Sequence, residues 1–232
     1  MTRLQKLLVF GASGRVGRHV CQYAIDTMLY EVHGFVRNHV NLQKVRPDTD
    51  RYAEQIQPFE GDVTDIQSVK EAIKQIRPDK VVSVVGPKDI REPTVLNSHA
   101  ALNICQAMVD YKIRRLVLLT ANGLLPAKKE EAGINDRMLY ESNAHFAAWL
   151  NHACFDMQHA TKIVMATMRL DYTLVCPPYM PSGPFHRTGK YRIFVDEPVP
   201  QGTVLSAPDC ADFIVKVLAR DDLIGHRVGI AY

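Results

Sequence analysis

The run Phe10-Gly11-Ala12-Ser13-Gly14-Arg15-Val16-Gly17 constrains this chain more than any other feature, because three glycines recur in it at every third residue. It follows directly on Leu7-Leu8-Val9-Phe10, an apolar run that reads as a strand. It opens a stretch from Gly14 to about Met28 that reads as a helix. Each glycine has its own cause: the first permits a tight turn, the second lets backbone approach a diphosphate, and the third lets the helix pack close on the strand. The N–H groups at the helix start, with the positive end of its dipole, then face an anion. Alone, such a string is weak; its position between a strand and a helix gives it weight. Gly11, Ser13, Gly14, Arg15, Val16 and Gly17 are therefore expected to hold a nucleotide diphosphate.

Short apolar runs alternate with longer amphipathic stretches along the rest of the chain, which is the pattern of a parallel sheet covered by helices on both sides. Strands are expected at 31–36, 59–63, 81–85, 116–120, 172–176 and 228–230, a hairpin around Tyr191–Val195, and helices at 66–76, 94–111, 136–168 and 208–219. The polar stretch 38–58 reads as a short helix and loop, and Lys128-Lys129-Glu130-Glu131 as a solvated loop. With 232 residues, 47% of them hydrophobic, the chain has length for one large core, and nothing in it reads as a dividing linker. The expected fold is a Rossmann-type doubly wound α/β sheet, one domain over 1–232 with a small C-terminal portion on the substrate side.

The net charge of +3 is spread without a long basic run, which argues against a nucleic-acid partner. No apolar stretch is long enough to span a bilayer and no signal-peptide core precedes the first strand, so a cytoplasmic location is expected. Cys21, Cys105, Cys154, Cys176 and Cys210 follow no metal or disulfide spacing and read as reduced, mostly buried thiols. His145, His152 and His159 recur every seven residues on one helical face, but that spacing sets neighbours about 10 Å apart, too far to share one metal ion. No metal site is expected.

The residue after the second strand reads the ribose. About 20 residues beyond the glycines, where an acid would bind the 2′-hydroxyl of NAD, stands Arg37. A guanidinium pairs with a 2′-phosphate, so NADP(H) is the preferred cofactor and NAD(H) the alternative. Arg15, Lys44 and Arg46 are further candidates for that cluster. Asp62 and Val63 stand where the adenine is capped, although Asp62 and Asp65 equally fit a helix N-cap before Ile66.

The segments GASGRVG, VR after the second strand, GDVTD, VVGP, LVLLTANG and LVCPPY occur in the order found in atypical short-chain dehydrogenase/reductases. Within that superfamily the chain most resembles the biliverdin-IXβ reductase/flavin reductase type and the NmrA-like proteins, over essentially its whole length. The resemblance implies that Gly11, Ser13, Gly14 and Gly17 bind pyrophosphate, Arg37 the 2′-phosphate, Asp62 and Val63 the adenine, and Gly86 the ribose or nicotinamide side.

The active site of such a sheet lies beyond the carboxyl ends of the strands, which points to Thr120, Ala121 and Asn122 and to Pro177, Pro178 and Tyr179. Pro87, Thr120 and Pro177 are expected to border the cofactor. Thr120 or Asn122 stands near the serine of the superfamily, but Tyr140 has no lysine four residues on, and no other tyrosine supplies the Tyr-x-x-x-Lys pair. Lys162 is either a cation beside the nicotinamide or a solvated helix lysine. Alcohol–ketone chemistry needs a protein acid, whereas hydride transfer to a flavin, quinone or tetrapyrrole leaves protonation to solvent. Pro87, Leu124, Phe146, Trp149, Tyr179 and Phe185 are candidate walls of a slot for such a planar small-molecule acceptor.

Three functions follow from these residues: an NADPH-dependent reductase of a planar acceptor, working as a monomer or homodimer, a non-catalytic dinucleotide sensor of NmrA-like type, and a nucleotide-sugar epimerase or dehydratase. Thr120, Asn122, Lys162 and Tyr179 are the catalytic candidates for the first.

Overall fold

In a computed structural model that describes residues 3–38, 54–126 and 151–232, eight strands form one sheet. In chain order the elements are β1 (Gln5–Phe10), α1 (Gly17–Asp26), β2 (Tyr30–Val36), β3 (Gln57–Glu60), α2 (Ile66–Ile76), β4 (Lys80–Ser83) and α3 (Leu96–Asp110). They continue with β5 (Arg115–Leu119), α4 (Asn151–Ala166), β6 (Asp171–Cys176), β7 (Arg192–Val195), α5 (Ala207–Val217) and β8 (Arg227–Ala231). The strand order is β3-β2-β1-β4-β5-β6-β8-β7, parallel throughout except for the β7–β8 pair. The expected doubly wound Rossmann-type sheet is present.

Strand alternation explains the two cores. Leu7 and Val9 of β1 point to one face and join Val20 of α1 and Phe213 of α5, while Leu8 and Phe10 point to the other and join Ile73 of α2, Ile104 of α3 and Val164 of α4. All four β1 residues are fully buried, as a strand covered on both sides requires. The α2 helix shows the local logic: Asp65 caps its start by accepting from Gln67 N at 3.0 Å, and Val69, Ala72, Ile73 and Ile76 bury one stripe. Its end is the left-handed Arg77, whose N–H donates to Ile73 O.

Two expectations change. Residues 191–195 make no hairpin: β7 pairs antiparallel with β8, from which α5 separates it in sequence. The helix expected from Gly14 begins only at Gly17, because Gly11–Val16 are spent on the turn itself. Lys44, Arg46, Tyr140, His145, Phe146, Trp149 and the expected helix start at Asp136 lie outside the described residues.

The winding reverses between β1 and β4, and the crevice at their carboxyl ends is where a ligand sits in sheets of this kind. The glycine turn leaves β1 there, and residues 84–87 leave β4 beside it.

Candidate functional site

Backbone contacts build the glycine turn. Gly11 adopts φ +81°, a left-handed conformation that glycine accepts freely, and a Cβ on it would meet Val84 O at 2.9 Å. Gly14 N donates to Gly11 O at 2.9 Å, closing the turn. A Cβ on Gly17 would lie 2.1 Å from that same oxygen, so this position tolerates no side chain. The α1 helix starts with no side-chain cap and no acid in its first turn, whereas α2 and α5 are capped by Asp65 and Ser206. Even α3, whose Val95 cannot cap, receives Asp156 from α4, which accepts from Asn97 N at 2.7 Å and Ser98 N at 3.0 Å. Uncapped N–H groups at a helix start suit a diphosphate.

The expected adenosine side is formed by the exits of β2 and β3. Gly61 N donates to Val36 O at 2.9 Å, which draws the β3 exit against the β2 exit and sets Asp62 near the exposed Arg37. The Asp62 carboxylate accepts from Thr64 N at 2.9 Å and Thr64 Oγ1 at 2.8 Å; these bonds, with Arg37 nearby, hold its pKa below the usual carboxylate range. The N-cap of α2 is Asp65 alone, which leaves Asp62 in the turn above it. Ser68 Oγ accepts from Asp62 N at 3.2 Å, and Asn103 Nδ2 donates to Val63 O at 2.9 Å. No motif announces these supports: Ser68 and Asn103 look like ordinary polar positions on amphipathic helices.

On the β4 side, Gly86 is exposed and a Cβ there would meet nothing within 4 Å. Packing within the chain therefore gives no reason for glycine at this position. Pro87 beside it is half-buried.

The β5–β6 side departs from expectation. Thr120 is buried; its Oγ1 donates to Val175 O at 3.3 Å and sits 3.1 Å from Cys176 Sγ, turned into the sheet rather than the crevice. Asn122 N donates to Pro177 O at 2.8 Å, which joins the β5 exit to the β6 exit. Leu124 is fully buried in the protein and belongs to the core, not to a slot wall. Pro177 is buried, Tyr179 is 63% exposed and Phe185 44%, so these two rings keep open faces. Lys162 is half-buried on α4, a helix that packs against α3 and the turn at Asn122–Leu124.

The Arg15 side chain points away from Arg37. Its Nη1 donates to Met180 O at 2.8 Å and Ser182 Oγ at 3.3 Å, beyond β6, whereas Arg37 lies beyond β2 on the opposite side of β1. Only its backbone belongs to the diphosphate turn. A tyrosine does meet a lysine in this half, since Lys216 Nζ lies 3.2 Å from Tyr191 Oη. Burial and a 2.7 Å bond to Asp212 raise the Tyr191 pKa, so the phenol keeps its proton.

Residues 11–221 match the family described as NAD(P)H-binding. The chain belongs to the NAD(P)H-binding family. Among solved structures it is similar to a candidate NADH-flavin reductase from Streptococcus pneumoniae, with TM-score 0.77 and 18% identity over 98% of this chain and 99% of that one. A short-chain dehydrogenase/reductase from Veillonella parvula in complex with NADP gives 0.72 and 13% identity over 99% and 95%. A candidate epimerase from Bacteroides thetaiotaomicron gives 0.76 and 21% over 99% and 98%. At these identities the likeness is one of fold. The NAD(P)H-binding assignment agrees with the glycine turn, and among the described residues no helix is long and apolar enough to cross a membrane.

Proposed function

We infer that this NAD(P)H-binding protein is an NADPH-dependent reductase that passes hydride to a planar conjugated acceptor such as a flavin or quinone. The observation that carries this reading is the Thr120 hydroxyl, which is bonded inside the sheet to Val175 O and Cys176 Sγ and so is not free to protonate a substrate at the β5 exit. With the Tyr191 hydroxyl donated to Asp212 at 2.7 Å and no Tyr-x-x-x-Lys pair in the sequence, the chemistry that fits is one whose acceptor takes its proton from solvent.

Bound NADPH supplies the hydride. The protein's part is placement: the N–H groups of Ser13, Arg15 and Val16 with Gly14 and Gly17 hold the diphosphate, Arg37 the 2′-phosphate, and Asp62 and Val63 the adenine. Gly86 and Pro87 let the cofactor lie close to the β4 exit, and the Pro177 edge limits it on the other side. Asn122 and Lys162 border the nicotinamide half, and the open ring of Tyr179 offers a face on which a planar acceptor stacks. All five cysteines are unpaired and buried, which suits a reducing cytoplasm.

The test is NADPH oxidation with FMN, dichlorophenolindophenol and a quinone, beside calorimetric titration with NADPH and NADH. Turnover of at least one acceptor with tighter NADPH binding is the expected result. Tight binding with no turnover of any acceptor assigns a dinucleotide sensor instead, and no binding of either nucleotide removes the reading.

A further inference from the structure

Residues 182–190 are exposed along their whole length, yet the span is buckled to the body at three points. At its start, Arg15 Nη1 holds Met180 O at 2.8 Å and Ser182 Oγ at 3.3 Å. In its middle, the Arg187 guanidinium lies 4.3 Å over the Tyr23 ring of α1 and 3.7 Å from Asp212 of α5. At its end, Asp209 accepts from Thr188 N and Gly189 N at 2.8 Å and from Thr188 Oγ1 at 2.7 Å. Of the three buckles only the first stands on the dinucleotide turn, and it is the one next to Tyr179.

A bond from an exposed arginine to a loop carbonyl is weak while both ends move, because ordering them opposes it. A diphosphate bound to the backbone of Ser13–Val16 fixes the Arg15 Cα, and the guanidinium then meets Met180 and Ser182 with less freedom to lose. We propose that Arg15 is a positioning residue that couples dinucleotide binding to the seating of the 180–190 strap, completing the acceptor surface only once the cofactor is in place. This rests on the reading above, with the diphosphate at the glycine turn and the acceptor on the β6 side. Linkage makes the coupling reciprocal: a seated strap tightens the dinucleotide by the same factor.

Trypsin reads the strap directly, since Arg187 and Lys190 lie within it and cutting of a transiently open segment follows its open population. Each protein is held at saturating NADPH by its own titration, and the cuts after these two residues are timed by mass spectrometry. In the wild type NADPH slows them about tenfold, the size expected from one charge-assisted bond gained. In Arg15→Ala, equally saturated, the slowing is lost and the acceptor KM rises by more than kcat falls; Arg15→Lys recovers part of both. Protection that persists in Arg15→Ala, or a wild type that binds NADPH without protection, overturns the coupling alone. An Arg15→Ala protein that no longer binds NADPH also overturns it, because the side chain then serves the dinucleotide rather than the strap. A wild type that binds no NADPH overturns the underlying reading, and the coupling with it.

Discussion

The two ends of the crevice are built from different material. Around β1, β2 and β3 the frame is main chain, with Gly11 in its left-handed turn, Gly17 pressed on the Gly11 carbonyl and Gly61 N on Val36 O, and side chains such as Asn103 only support the β3 exit. Around β5 and β6 the backbone bond from Asn122 N to Pro177 O is joined by side chains that hold the loop beyond β6, Arg15 to Met180 and Asp209 to Thr188. Backbone packed against backbone cannot adjust, while a latch made of side chains can open. The first suits a cofactor common to a whole family, and the second an acceptor that must enter and leave.

The comparison breaks most visibly at glycine. Gly17→Ala would place a Cβ 2.1 Å from Gly11 O, so the expected loss is about 3 kcal/mol or more, a fall in melting temperature of roughly 6–12 °C, and loss of NADPH binding. Gly86→Ala places its Cβ in open space, so the melting temperature stays put while NADPH affinity falls. Equal thermal shifts in the two variants would mean that Gly86 serves the fold and not the ligand.

Next in size is the charge expected to read the ribose. Arg37→Asp replaces a guanidinium–phosphate pair with repulsion, beside an Asp62 whose ionised form the native arginine favours. The preference is expected to move from NADPH toward NADH by roughly ten- to thousandfold in a competitive titration. Unchanged selectivity would take the 2′-phosphate away from this corner.

The Gly17 and Arg37 predictions are readable from the sequence for a physical reason. The glycine spacing and the Arg37 position encode contacts closed within a few dozen residues, where period and turn chemistry decide the geometry. What failed was long-range. The 191–195 segment has the composition of a hairpin arm, but its partner β8 lies beyond α5, and no local signal names a partner. Leu124 looked like a pocket wall because it follows a strand exit, yet its turn folds it fully into the core. Arg15 reads as one more cation near a phosphate until its guanidinium is seen 2.8 Å from Met180 O, 165 residues away.

A smaller effect tests the acceptor half. Thr120→Val removes a hydroxyl whose bonds go to Val175 O and Cys176 Sγ, so the expected loss is about 1 kcal/mol of stability, read from the urea midpoint. The rate with any accepted substrate should change by less than about twofold, against roughly 10²–10⁴ for loss of a general acid. A large fall in kcat with unchanged stability would return Thr120 to the chemistry.

The smallest effect separates the halves by pH. His33 in β2 is buried, and burial pushes its pKa below 6.5 despite the 2.9 Å contact with Glu31. The folded state thus resists a proton that the unfolded chain accepts, so His33 leaves stability intact above pH 6.5 and erodes it as pH falls below that value. Asp209 behaves oppositely: burial alone would raise its pKa, but bonds from Tyr232, Gly189 and Thr188 outweigh it and leave the value below 3.8. Its contribution is present above 3.8 and lost only as pH falls through the lower folded value. Between pH 7 and 5 the urea midpoint should therefore decline in the wild type and decline less in His33→Gln. Hydrogen exchange at Thr188 and Gly189, corrected for its own pH dependence, should hold steady until the solution is well below pH 4. If the strap amides loosened together with β2 between pH 7 and 5, the two ends of the crevice would be one cooperative unit, and the division between a fixed cofactor end and an adjustable acceptor end would fail.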